Sequence, residues 1–136
     1  INELITRGVR FIYFGEQTAT DDIQINTLPS QIIGFLYLYV DLSIITSTAE
    51  GGPKTILDGC ITNTPIISTD VGIATDYLAT EAVMASKHEF IATAARIYKD
   101  RLFKDYLIDY QQKQFQSRND EPVLITKFQN VLSRLK

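Results

Sequence analysis

The chain has 136 residues, 45% of them apolar and 10% aromatic, with one cysteine; this is enough for one domain with a buried core, and it excludes disordered, collagen-like and disulfide-scaffold classes. Residues 1–86 carry three basic and ten acidic side chains, a net of −7, whereas residues 87–136 carry ten basic and six acidic, a net of +4. The acidic first part argues against a nucleic-acid groove there, and the interleaved charges of the second part favour a solvated helical face.

Short apolar runs predict the strands of a parallel sheet. Runs that are apolar nearly throughout, rather than alternating, are typical of parallel strands covered on both faces. We predict strands at residues 9–14, 42–46 and 65–69, and a weaker one at 82–84.

Helices are predicted between these strands. Pro29 suits the first turn of one, whose apolar side chains recur at helical spacing from Ile32 to Tyr39. Residues 53–61 predict a second helix that ends at Thr62 and Asn63, since asparagine tolerates a left-handed conformation. Strand–helix–strand repetition predicts an α/β fold with a Rossmann-like parallel sheet flanked by helices.

A helical tail is predicted from about residue 87 to residue 136. Two apolar stripes, which we interpret as core packing, consist of Phe90, Ile91, Ala94, Ile97 and Tyr98, and of Leu102, Phe103, Tyr106, Leu107 and Tyr110. A third helix is expected after Asp120, with Pro122 in its first turn. No linker divides the chain, so we expect residues 1–136 to form a single domain.

The segment from Ser47 to Asp58 carries the strongest chemical signal. It follows a predicted parallel strand and opens a helix, which is where open α/β sheets bind ligands. Gly51 and Gly52 place no side chain between a ligand and the backbone. The N–H groups of Gly52, Lys54 and Thr55, beside Pro53, predict a phosphate-binding helix N-terminus to which Lys54 can add a charge. The spacing is neither that of a Walker loop nor G-x-G-x-x-G.

Two carboxylates accompany this turn. Glu50 would repel phosphate, so we expect it to accept hydrogen bonds from sugar hydroxyls; a solvated loop residue is the alternative. Asp58 lies two helical turns further on, where it can meet the ribose of a nucleotide. Its alternative is an i, i+4 ion pair with Lys54 on the helix surface.

The order of motifs resembles a known family. Asp41-Leu42-Ser43-Ile44-Ile45, then Ser47-x-x-Glu50-Gly51-Gly52-Pro53, then Leu57-Asp58-Gly59-Cys60, and finally the run from Thr64 to Gly72 are similar to the donor-binding half of retaining glycosyltransferases of family 4. The resemblance covers about residues 9–78 and implies half of a GT-B enzyme, in which two Rossmann-like domains face a cleft. It also implies that the first strand of this domain and an N-terminal acceptor domain are missing, so that the isolated chain is inactive.

The resemblance also implies roles for single residues. Glu50 matches the first position of the family's E-x7-E signature, which implies contact with the transferred sugar and support of an oxocarbenium-like transition state. The second position holds Asp58 instead of the family's glutamate. Its side chain is shorter, which affects the contact with the ribose. The diphosphate would lie on Gly51, Gly52, Pro53, Lys54 and Thr55. Gly15 and Glu16 resemble the loop that holds the base, and Gly72 resembles a tight turn on the same sheet edge.

The function that follows is binding of a nucleotide-sugar donor whose hexosyl group passes, with retained anomeric configuration, to an unknown glycan, lipid or small-molecule acceptor. No cofactor and no metal are expected, since the family needs no essential metal and the sequence offers one histidine, His88, and one cysteine. The alternative is a non-catalytic nucleotide- or carbohydrate-binding module of the same fold. A nucleotide-sugar epimerase is disfavoured because Glu50 stands where that family has serine.

The partners expected are the donor, the acceptor and the missing domain, with no nucleic acid. Nothing in the sequence indicates membrane contact: the longest apolar run, residues 32–45, contains Asp41 and is too short to span a bilayer. A lone Cys60 fits a reducing compartment, so we expect a cytoplasmic protein and leave peripheral association with the inner face of a membrane open.

Overall fold

The structure is a computed structural model that describes residues 12–14, 23–25, 30–120 and Pro122. Its helices and strands, in chain order, are β1 (Ile12–Phe14), β2 (Ile23–Ile25), α1 (Ser30–Tyr37), β3 (Ser43–Ile45), α2 (Lys54–Thr62), β4 (Ile66–Thr69), α3 (Ala74–Tyr77), a 3-10 turn (Thr80–Ala82), β5 (Val83–Met84), α4 (Lys87–Lys99) and α5 (Arg101–Asn119).

Strands β3, β4 and β5 form a parallel sheet in that order, and helices flank it, so the described chain has an α/β fold. In the register, Ile44 lies opposite Ile67, and Ser68 lies opposite Val83. The predicted strands at 42–46, 65–69 and 82–84 are confirmed with shorter bounds. Ala82 belongs to the preceding 3-10 turn instead of the strand.

A second parallel sheet consists of β1 and β2 alone, with Ile12 opposite Ile23. The three residues of β1 lie within the predicted first strand; residues 9–11 lie outside those that the structure describes. Strand β2 was not predicted, because its Ile-Gln-Ile run is too short for an apolar pattern to stand out.

The middle strand, β4, lies at the centre of the core. Ile66, Ile67 and Ser68 are all fully buried, as expected for a parallel strand covered on both faces. Helix α2 lies close against this strand at Gly59: a Cβ atom added there would stand 2.5 Å from Cδ1 of Ile66. The glycine therefore sets the distance between α2 and the sheet.

Helix α2 ends where the sequence predicted. Asn63 adopts a left-handed conformation, with φ 58° and ψ 28°, and its N–H donates to the carbonyl of Gly59. The end is then closed from α5: Nε2 of Gln111 donates to the carbonyl oxygens of Thr64, at 2.7 Å, and of Gly59, at 3.3 Å. Gln112 donates to the carbonyl of Cys60 at 2.9 Å. Gln111 thus adds a donor to the Gly59 carbonyl and bonds Thr64 just beyond the helix, while Gln112 bonds the carbonyl of Cys60 in the last turn of α2.

The helical tail begins as predicted at Lys87, with a capping box between Ser86 and Glu89. Its two stripes are buried only in part, at Ala94, Ile97, Phe103 and Leu107. Placing the whole stripes in the core was wrong, because Tyr98, Leu102 and Tyr106 are exposed. Helix α4 ends and α5 begins at Asp100, whose carboxylate accepts from the N–H of Phe103 at 3.0 Å, and Tyr98 and Leu102 lie on either side of this break.

Helix α1 has the predicted position but presents another face to the core. Tyr37 is buried, whereas Ile32 and Phe35 are exposed, and Tyr39 lies beyond the end of the helix. Of the predicted third helix, the structure describes Asp120, which follows α5, and an exposed, helical Pro122; the remainder lies outside the described residues.

Candidate functional site

Two connections meet at the carboxyl-terminal edge of the parallel sheet. The first, called the 46–53 loop, joins β3 to α2, and the second, called the 70–73 turn, joins β4 to α3. Ligands of open α/β sheets bind outside this edge. Every residue from 47 to 58 that the sequence singled out lies on the first connection or on α2.

The first turn of α2 leaves backbone donors unused. Pro53 precedes the helix in an extended conformation, with its own ring buried, and no side chain caps the helix. The carbonyl of Pro53 accepts from the N–H of Ile56 at 3.0 Å. Among the described residues, no hydrogen bond uses the N–H groups of Lys54 or Thr55, nor those of Gly51 and Gly52 in the loop. The start of α2 therefore has the donors that an anion would need.

The residues before α2 are open to solvent. Glu50, Gly51 and Gly52 are all exposed. A Cβ atom on Gly51 would meet nothing within 4 Å, and one on Gly52 would come no nearer than 3.8 Å to Cγ2 of Ile73. Among the described residues, no atom lies close to the Cβ side of Gly51 or Gly52, so a ligand could approach the backbone there, on the side that the 70–73 turn leaves uncovered.

Lys54 and Asp58 form an ion pair, which was the alternative to the predicted ribose contact of Asp58. Nζ of Lys54 lies 3.2 Å from both carboxylate oxygens of Asp58. The lysine side chain is 66% exposed and the aspartate side chain 14%. A pair at this spacing on a helix surface contributes about 0.2–0.5 kcal/mol, so an incoming anion can draw Lys54 away at little cost.

Tyr37 lies next to the site and was not predicted from the sequence. Its hydroxyl lies 3.5 Å from Oγ of Ser43. Burial raises the pKa of Tyr37, and the negative charge of Asp58 adds to this, while hydrogen bonds from Ser43 and Thr55 act in the opposite direction. The phenol therefore stays neutral beside the inner side of α2. A tyrosine within an apolar stripe carries no sequence signal of such a position.

The 70–73 turn rests directly on the 46–53 loop. Gly72 has φ +53°, and a Cβ atom there would stand 2.8 Å from the carbonyl oxygen of Glu50, the carbonyl carbon of Gly51 and the nitrogen of Gly52. Oγ1 of Thr69, at the end of β4, donates to the carbonyl oxygen of Ser47 at 2.5 Å. Glycine is required at position 72 both by its backbone angle and by this close approach.

Four further residues named in the sequence analysis are Gly15, Glu16, His88 and Cys60. Gly15 and Glu16 lie outside the residues that the structure describes, so their role in holding the base stays a prediction. His88 is exposed in the first turn of α4. Cys60 is buried in α2, and burial raises its pKa to about 12, so the thiol is a poor nucleophile.

The described residues contain no group of three or more His, Cys, Asp or Glu side chains able to hold a metal ion, and none of their helices is long and apolar enough to cross a membrane. No family model, no curated protein and no solved structure matches the chain.

Proposed function

We propose that the start of α2 binds the diphosphate of a nucleotide sugar, and that the chain is the donor-binding part of a retaining glycosyltransferase. In this proposal the α/β sheet is the Rossmann-like half of a GT-B enzyme. The observation that carries the proposal is a set of backbone N–H groups at a helix N-terminus, on the carboxyl-terminal edge of a parallel sheet, that have no hydrogen-bond partner among the described residues and lie beside an exposed Glu50.

The chemistry required at such a site is stabilisation of two opposite charges. As the bond from sugar to diphosphate breaks, negative charge grows on the leaving group, and the N–H groups of Gly52 and Thr55 with the ammonium of Lys54 would offset it. Positive charge grows on the sugar ring, and the Glu50 carboxylate would stabilise it. These residues supply both functions without a metal ion.

Asp58 fits the ribose role only if its ion pair with Lys54 opens. Binding of the diphosphate would bring this about, because Lys54 is mostly exposed and can turn toward the phosphate oxygens. The carboxylate of Asp58 is then free to accept hydrogen bonds from ribose hydroxyls. Donor binding and release of the ion pair would be one event.

The decisive experiment is a titration of the chain with pyrophosphate and with uridine, guanosine and adenosine diphosphates, followed by thermal unfolding and calorimetry. A ligand that binds the folded state raises the midpoint by mass action. Lys54→Gln removes a charge-assisted contact with the anion and is therefore expected to weaken binding about tenfold. Lys87→Gln removes the same charge from the first turn of α4, whose N-terminus is already capped by Ser86 and Glu89, and is expected to change nothing. Equal losses in both variants would refute a site at α2.

A non-catalytic binding module remains the second candidate, favoured by the existing contact between Asp58 and Lys54. A substitution of Glu50 distinguishes the two functions. For a donor-binding domain, Glu50→Ala should leave nucleoside-diphosphate affinity unchanged and weaken binding of the intact nucleotide sugar. If Glu50→Ala changes neither affinity, the module is the better description.

A further inference from the structure

The 46–53 loop has few attachments of its own. Its residues from Thr48 to Gly52 are exposed, and β3 ends before it at Ile45. Among the described residues, the hydroxyl of Thr69 is the one side-chain donor that bonds this loop, at the carbonyl of Ser47. The loop therefore depends on the neighbouring strand for its shape.

A second contact with the loop comes from the same direction, through Gly72. Three consecutive residues of the loop, Glu50 to Gly52, lie within 2.8 Å of the point where a Cβ atom of Gly72 would stand. Backbone thus packs on backbone, and neither segment can move toward the other. The hydroxyl of Thr69 holds the entry of the loop, and Gly72 supports the peptides next to the helix.

Helix α2 is fixed independently at its other end. Gln111 and Gln112 of α5 bind carbonyl groups at the end of α2, and Gly59 packs on Ile66. The position of α2 is therefore set without the loop, whereas the direction of the loop's N–H groups and of Glu50 is not.

We propose that Thr69 and Gly72 are positioning residues for the anion site: they hold Glu50 and the N–H groups of Gly51 and Gly52 in their ligand-ready arrangement before any ligand arrives. The inference rests on the proposed function, because the site that these residues shape is the proposed diphosphate site. Donors that are already in place bind a ligand more tightly, because binding then loses no conformational entropy in ordering the loop.

The test compares three threonine variants with pyrophosphate as the probe. Thr69→Val removes the hydroxyl at nearly constant volume, and Thr69→Ser keeps it. Thr62→Val is the matched control, since that hydroxyl also donates to a backbone carbonyl, of Asp58 at 2.9 Å, but at the far end of α2. One lost hydrogen bond corresponds to roughly a twofold to tenfold change in affinity. We expect this loss for Thr69→Val, recovery in Thr69→Ser and none in Thr62→Val, although both valine variants should lower the melting temperature.

A second measurement needs no ligand. Hydrogen exchange of the peptide covering residues 47–55 should be several times faster in Thr69→Val than in the wild type, and unchanged in Thr62→Val. Gly72→Ala should show the larger effect wherever it folds. If the wild-type chain binds no pyrophosphate, the proposed function fails, and the exchange rates alone decide on the positioning role. If the wild type binds and Thr69→Val binds equally well with unchanged exchange, the positioning role is refuted.

Discussion

Replacing Gly59 by alanine tests how closely α2 lies on the sheet. The new Cβ would stand 2.5 Å from Cδ1 and 2.7 Å from Cγ1 of Ile66, and 3.3 Å from the carbonyl oxygen of Thr64. Ile66 is fully buried, so its side chain has no free space to enter. Overpacking of this kind costs about 1–3 kcal/mol, while the better helix propensity of alanine returns about 1 kcal/mol. We expect Gly59→Ala to lower the free energy of unfolding by about 1 kcal/mol.

A double-mutant cycle separates the clash from every other effect. Ile66→Ala removes both Cδ1 and Cγ1 and alone should cost about 2–5 kcal/mol. With Gly59→Ala in the same chain, the new methyl group occupies part of the space that these two atoms have left. The double variant should therefore be more stable than the sum of the single losses by about 1 kcal/mol, measured by urea unfolding with unchanged m-values. Additivity within about 0.5 kcal/mol would refute the contact.

Three further predictions concern the core and the end of α2. Because burial raises the pKa of Cys60 from its usual 9.0 to about 12, the unfolded chain loses its thiol proton first as the pH rises. The free energy of unfolding should therefore fall between about pH 9 and 12, and this slope should be smaller in Cys60→Ala; an identical slope would contradict the cause. Gln111→Leu leaves two carbonyl oxygens without this donor and should cost about 1–3 kcal/mol in urea unfolding, whereas Gln114→Leu, one turn away on α5, should change little. Asn63→Ala should cost about 1 kcal/mol in thermal unfolding because its φ is 58°, and Asn63→Gly should cost clearly less.

Local signals explain what the sequence could predict. The end of α2 follows from Asn63, which acts on its own backbone angles, whereas the predicted start was one residue early, because Pro53 precedes the helix in an extended conformation. The strands of the three-stranded sheet follow from apolar runs that only a doubly covered sheet can bury. The N–H groups at the start of α2, which have no partner in the part of the chain that the structure describes, also follow from a local rule, since the N-cap residue, Pro53, has no side chain that could accept from them.

What the sequence could not predict depends on contacts between distant segments. Tyr98 and Leu102 lie on either side of the helix break at Asp100 and are exposed, and periodicity within one stripe does not report which of its side chains another element covers. Gly72 packs against the backbone of Glu50, although the two residues are 22 positions apart in the sequence. For Lys54 and Asp58, ion pair and ribose contact use the same spacing, so pattern alone could not choose between them.

The hydrogen bonds between α5 and the end of α2 couple the stability of the helical tail to that of the sheet. Gln111 belongs to the tail, yet its amide closes the end of a helix whose beginning is the candidate site. A truncation before residue 111 would therefore remove hydrogen bonds from the end of α2, beside the core of the domain, and would not be limited to a peripheral segment. Sheet and tail should melt together, in one cooperative transition.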